Sequence, residues 1–221
     1  MQLYFVRHGK TKWNLEGRYQ GSNGNSPLLP ESYEDIARLA TYLKSTDTHF
    51  RAFYTSPLQR ASDTVISLRQ ALGATAPIIT DNRLKEFNLG KLEGMSFTDA
   101  ERKFPVQIKA FRYHPDRYDP SAFGGEKFTS LIARGKSLVT EIAKRYQAED
   151  DKVLIVSHGA ALVAIIQSLA GTDLADLRSR GGLVNTSLSI LETKDQGQTF
   201  QEISWNQTDF LHKKLGVTDI I

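Results

Sequence analysis

Two histidines in this chain follow short apolar runs and precede a glycine. "VRHG" places Arg7, His8 and Gly9 after Leu3–Val6, and "VSHG" places His158 and Gly159 after a run that starts at Lys152. A third junction, "YTSPLQRA", follows Ala52–Thr55 and puts Arg60 in the first turn of a helix, with Ser56 suited to the N-cap and Pro57 to the first helical position. A guanidinium presents a planar fork that matches phosphate oxygens. Helix N-termini offer free N–H groups and partial positive charge. Together these groups predict an anion pocket, with a phosphoryl group as its occupant. Each has a plainer reading when taken singly. A histidine after a strand is more often structural, Arg60 alone would be a surface helix arginine, and Arg7 could pair with a carboxylate.

The elements that must position these groups follow from hydrophobic periodicity. Leu3–Val6, Ala52–Thr55, Pro77–Thr80, Lys152–Val156, Ser187–Glu192 and Phe200–Trp205 read as short strands, the first and fourth apolar enough for a sheet covered on both faces. Leu58, Ala61, Val65, Leu68 and Leu72 recur at helical spacing, as do Phe128 through Tyr146. Ala161–Leu169 is a mostly apolar helix, and Glu31–Leu43 another, with Pro30 before its start. Strands alternating with helices predict an α/β fold, a mostly parallel central sheet with helices on both faces. In such sheets ligands bind beyond the carboxyl ends of the strands, where the three junctions would converge. Residues 87–125 break the pattern with four glycines and three prolines and short helical stretches such as Phe97–Phe104. They are expected to be a cap-like excursion within a single domain spanning 1–221.

Composition narrows the partners. The 221 residues are 40% hydrophobic and 24% charged, with a net charge of +3 that is scattered and not clustered, so a nucleic-acid face is not expected. No apolar run is long enough to span a bilayer, and no secretion signal is apparent at the start, so membrane association is not expected. Cysteine is absent, which excludes disulfides and thiolate metal sites and suits the cytoplasm.

The blocks "VRHGKTKWN", "GRYQG", "YTSPLQRASDT", "LKEFNLGKLEG", "GGE" and "VLIVSHGAAL", in that order, resemble the histidine phosphatase superfamily, whose founding relatives are the cofactor-dependent phosphoglycerate mutases. "GLVNTSLSILE" is similar to the later part of family members. The resemblance implies a three-layer, phosphoglycerate mutase-like sandwich and a histidine acid phosphatase-type reaction. A phosphoryl group would pass from a small-molecule phosphomonoester to His8 and then to water. It also implies that a backbone carbonyl fixes the tautomer of His8. Arg7, Arg60 and His158 would surround the phosphoryl oxygens, His158 most effectively if protonated, and Glu86 would be the general acid and base. Asn14, Gln20 and Gly21 match pocket-lining positions, with Thr11 as a further hydroxyl donor and Gly159 as an N–H donor at a helix start. With three cationic groups at the phosphate, no metal or other cofactor is expected.

Two positions depart from the family pattern. Lys10 follows Arg-His-Gly where an acid or amide is usual, and is read as a solvated lysine. Lys127 follows Gly-Gly-Glu in place of a small hydroxyl residue. Within the excursion, Phe87, Phe111, Arg112, Tyr113 and His114 are candidate substrate contacts. Two other functions stay open: a 2,3-bisphosphoglycerate-dependent phosphoglycerate mutase, and a non-catalytic module that binds a phospho-ligand. The second has no use for a carboxylic acid beside a nucleophile.

Overall fold

Leu3 and Phe5 pack on one face of a sheet and Tyr4 and Val6 on the other, as the two-residue period of a strand requires. Val153 and Ile155 repeat the first choice, Leu154 and Val156 the second. Each run is therefore apolar throughout because it is buried on both sides. The computed structural model describes residues 1–220, without the side chain of Val217. Ile221, the last residue of the expected domain, lies outside the described residues. Among the described residues one sheet forms from β1 (Gln2–Arg7), β2 (Ala52–Thr55), β3 (Ile78–Thr80), β4 (Lys152–Ser157), β5 (Leu188–Glu192) and β6 (Gln201–Gln207). Their order is β3-β2-β4-β1-β5-β6. β3, β2, β4 and β1 run parallel, while β5 pairs antiparallel with β1 and with β6.

The helices are α1 (Lys12–Leu15), α2 (Pro30–Ser45), α3 (Gln59–Leu72), α4 (Phe97–Lys103), α5 (Pro105–Tyr113), α6 (Phe128–Arg145) and α7 (Gly159–Leu169). Ile36, Leu39 and Leu43 of α2 and Ala61, Val65 and Leu68 of α3 cover the face bearing Tyr4 and Val6. Leu131, Leu138, Val139 and Ile142 of α6 and most of α7 cover the other. The result is a three-layer sandwich. Each large aliphatic side chain fully withdrawn from water contributes roughly 1.5–3 kcal/mol. α6 and α7 meet at Gly135, where a Cβ would collide with the side chain of Ile165.

Residues 87–125 contain more helix than their glycines and prolines suggest. α4 stops at Lys103, and Pro105 starts α5 at a position that needs no N–H donor. An aromatic cluster holds the segment down. The Phe87 and Phe111 rings lie 5.4 Å apart, Phe111 and Tyr118 5.1 Å, and Phe87 and Phe128 4.7 Å. No helix among the described residues is long and apolar enough to cross a membrane.

Candidate active site

β1 and β4 are adjacent and parallel, with Arg7 in register with Ser157. Their next residues, His8 and His158, are therefore delivered side by side, with ring centroids 5.2 Å apart. Arg60 reaches both from the first turn of α3. Its Nε–H points at His8 Nε2 (3.3 Å) and His158 Nδ1 (3.1 Å), while Nη1 and Nη2 donate to the carbonyls of Gly24 (2.9 Å) and Gly21 (2.8 Å). Arg7, His8, Arg60 and His158 are all at most 3% exposed.

The other nitrogen of His8, Nδ1, lies 2.7 Å from the carbonyl of Gly9. A carbonyl can only accept, so Nδ1 carries the proton and Nε2 keeps its lone pair. Burial first, then the charges of Arg60 and Arg7, hold His8 well below the usual imidazole range, so it is neutral. The same causes, with burial again largest, keep His158 neutral. Two arginines already occupy this pocket, and a third positive charge without an anion present is unfavourable. With Nδ1 accepting from Arg60, His158 donates Nε2–H to Ser56 Oγ at 2.8 Å. Ser56 is accordingly not the helix cap its position suggested. α3 begins at Gln59 with Leu58 as N-cap, and Pro57 stays outside the helix.

Arg7 donates through Nη1 to the carbonyls of Leu183 and Asp219 (3.0 Å for the latter). Burial pushes its guanidinium down to about 10, and that of Arg60 likewise to about 10, so both stay charged at neutral pH. Thr186, at φ 61, adopts a left-handed conformation rare for a β-branched residue. That turn directs its N–H to the Arg7 carbonyl at 3.0 Å.

Glu86 is no surface carboxylate paired with Lys85. It accepts N–H bonds from Phe87 (2.9 Å), Ala160 (3.1 Å) and Ala161 (2.8 Å), and so sits on the N-terminus of α7. Arg134 of α6 holds the backbone that carries it. Nη1 donates to the carbonyls of Arg83 (2.6 Å) and Lys85 (2.8 Å), and Nη2 to that of Glu86 (3.2 Å). Glu126, the acid of "GGE", pairs with Arg134 through Nε at 2.8 Å and Nη2 at 2.9 Å.

A cavity of about 420 Å³ opens above these groups, lined by Arg7, His8, Asn14, Gln20, Gly21, Arg60, Glu86 and Gly159 on its floor. Asn14 Oδ1 is occupied by the N–H and hydroxyl of Thr11 (3.1 and 3.0 Å), so its NH₂ is the group left to donate. Gly159 is tight against Arg7: a Cβ there would sit 3.1 Å from Nε. Thr11 is not on the cavity wall. It is fully buried as the N-cap of α1 and accepts from Gln20 Nε2 at 2.8 Å, which positions Gln20. Of the candidate contacts in the excursion, Phe111, Arg112 and Tyr113 line the cavity, Phe87 is core, and His114 is exposed and off the wall.

Several supporting residues went unread in the sequence. Asn185 donates to the His8 carbonyl at 3.0 Å, and Thr64 Oγ1 accepts from Gly9 N–H at 3.0 Å. Asn185 lies inside "GLVNTSLSILE", the signal that could have found it. Lys10 is not solvated: its Nζ contacts Asp219 at 3.1 Å and Thr218 at 2.7 Å, and its side chain is 11% exposed. Among the described residues no group of three or more histidines or carboxylates could hold a metal ion.

The chain is similar to known proteins along most of its length. A metal-independent phosphoserine phosphatase of Arabidopsis thaliana is 29% identical over 95% of this chain and 83% of its own length. A probable phosphoglycerate mutase, GpmB, of Shigella dysenteriae is 31% identical over 98% of this chain and 93% of its own. The solved structure of YhfR from Bacillus stearothermophilus superposes with a TM-score of 0.86 at 32% identity, covering 96% of this chain and 99% of that one. The profile of the histidine phosphatase superfamily (branch 1) matches residues 3–206, and with His8 and His158 delivered by neighbouring parallel strands, the chain belongs to that superfamily.

Proposed function

We propose that the chain hydrolyses small phosphomonoesters through a phosphohistidine on His8. The observation that carries this reading is the Nδ1 contact of His8 with the Gly9 carbonyl, which leaves the Nε2 lone pair on the cavity side under Arg60. In the first step Nε2 attacks phosphorus, the ester P–O bond breaks, and Glu86 gives a proton to the leaving oxygen. In the second step water loses a proton to Glu86, its oxygen attacks phosphorus, the N–P bond breaks, and inorganic phosphate departs. Arg7 and Arg60 face the phosphoryl oxygens with charge already in place, the preorganised arrangement that lowers such barriers. Asn14 donates its NH₂ to the same group. Arrival of the phosphate dianion favours protonation of His158, which then becomes a third cationic donor.

The test is to incubate protein with a phosphomonoester, quench in base, and locate phosphate by mass spectrometry. Phosphate on His8, and no turnover by His8→Ala, is expected. Full activity of that variant overturns the reading. The similarity to GpmB supports a mutase as the second reading. A mutase must keep water from its phosphohistidine until a second hydroxyl attacks. Between Glu86 and His158 this chain has the excursion, α6 and β4, and no further segment to close the site. Hydrolysis is therefore favoured. Brisk formation of 2-phosphoglycerate from 3-phosphoglycerate, dependent on 2,3-bisphosphoglycerate and with little free phosphate, would establish the mutase instead.

A further inference from the structure

Three arginines line the outer part of the cavity, and two are already engaged. Arg18 donates to Glu16 at 2.8 Å and to the Gly94 carbonyl at 3.0 Å. Arg112 pairs with Glu101 and donates to the Tyr19 hydroxyl. The third, Arg178, makes no side-chain hydrogen bond or ion pair with any described residue, and its Nε is shut away from water without an acceptor. Its guanidinium lies 5.2 Å from the centre of the Phe111 ring, which holds the group over an aromatic face without neutralising it. The nearby carboxylate, Glu86, is committed to three backbone N–H groups. A buried N–H donor on a cation with no acceptor is destabilising, and such a group in a concave site calls for a ligand.

We propose that Arg178 is a specificity-determining residue that takes a carboxylate on the alcohol part of the substrate, so that the substrate class is small phosphomonoesters of hydroxy acids. This rests on the hydrolase reading above. Arg178 lines the same cavity as Arg7, His8, Arg60 and Glu86, so one small molecule can join the phosphoryl site to it. A planar guanidinium fork matches a carboxylate at two points. A single uncompensated cation matches a single negative charge, whereas a second phosphate would need more than one. Leu89, Phe97 and Phe111 make the intervening wall apolar, which strengthens a charge pair by excluding water.

The experiment compares ω-phosphonooxy carboxylic acids of three to five carbons with matched esters in which CH₂OH replaces the carboxylate. The wild type should favour the best acid over its alcohol partner by at least about tenfold in kcat/KM, and Arg178→Met should reduce that ratio by a similar factor. Arg178→Lys should restore part of it. Non-hydrolysable phosphonates of the same two series, titrated by calorimetry into the wild type and each variant, should show the same preference in affinity. An unchanged acid-to-alcohol ratio in Arg178→Met overturns the proposal. If that variant does not fold, the wild type decides alone, since equal affinity for the acid and alcohol phosphonates also overturns it. No phosphate release from any ester would remove the hydrolase reading, while the phosphonate affinities would still report on Arg178.

Discussion

Arg60 Nε lies 3.3 Å from His8 Nε2, so its N–H rests on the lone pair that attacks phosphorus in the proposed reaction. In that reaction the phosphoryl group would come between them, and the N–H would then turn to a phosphoryl oxygen. Arg60→Met should therefore reduce kcat by about 10²–10³-fold, the usual cost of removing one donor aimed at developing charge. Arg60→Lys should recover little, since one ammonium cannot replace a fork that also binds the carbonyls of Gly21 and Gly24. Steady-state rates on one aryl phosphate check this, and a loss below about tenfold would place the charge stabilisation elsewhere.

The two buried neutral histidines make the fold sensitive to acid. Both have folded pKa values well below the ordinary imidazole value, by burial first and by Arg60 next. Below about pH 6.5 the unfolded chain takes up protons that the folded chain does not. The contribution to stability is therefore full above that pH and is lost as pH falls through it, with a limiting slope of about 1.4 kcal/mol per pH unit for each histidine. Urea unfolding from pH 7.5 to 5 should show this decline, and His158→Asn should flatten it. The ¹⁵N shifts of both rings at pH 6 should be those of neutral imidazole, with the proton of His8 on Nδ1. Protonated rings at that pH would contradict the electrostatics.

Glu86→Gln separates proton donation from positive charge. A nitrophenolate leaves without help, whereas an alkoxide needs a proton. Single-turnover phosphorylation of the enzyme by an alkyl phosphate should slow by about 10²–10⁴-fold, and by much less with 4-nitrophenyl phosphate. Equal slowing of both would assign Glu86 a purely structural place at the start of α7.

Arg134 touches no part of the cavity, yet it fixes the carbonyls of Arg83, Lys85 and Glu86 at once. Arg134→Met should mimic Glu86→Gln in its dependence on the leaving group, with losses for alkyl esters on the order of 10²-fold, because small displacements of a reacting group are expensive. KM for the nitrophenyl ester should change little. A uniform loss across leaving groups would mean that the variant damages the fold and not the placement of Glu86.

How far the sequence was legible depends on whether a residue's partner is local. The strands were readable because β1 and β4 are buried on both faces, and unbroken apolar runs such as "LYFV" have no other use. Arg7, His8, Arg60 and His158 could be assembled in advance because each sits at a strand end or just inside the following helix. The antiparallel β5–β6 edge was not readable as such, since nothing local distinguishes it from a parallel one. "SPLQRA" misled about Ser56 because a proline commonly starts a helix, while here the hydroxyl is drawn to a histidine from a distant strand. Lys10 read as solvated because Asp219, its partner, is near the far end of the chain. Arg134 and Arg178 carry no local signature at all, and only packing reveals that one is saturated with acceptors and the other has none among the described residues.

β1 lies in the interior of the sheet between β4 and β5, although it precedes the sheet's other strands in sequence. Its parallel neighbour begins at Lys152 and its antiparallel neighbour at Leu188, so during synthesis both of its hydrogen-bonding edges stay open until most of the chain has emerged. An unpaired strand reading Leu-Tyr-Phe-Val is adhesive to other chains, and pairings this distant in sequence form slowly. The geometry that brings His8 beside His158 thus leaves an adhesive strand open late in synthesis, and a product truncated before Lys152 is expected to aggregate instead of accumulating as a partly folded domain.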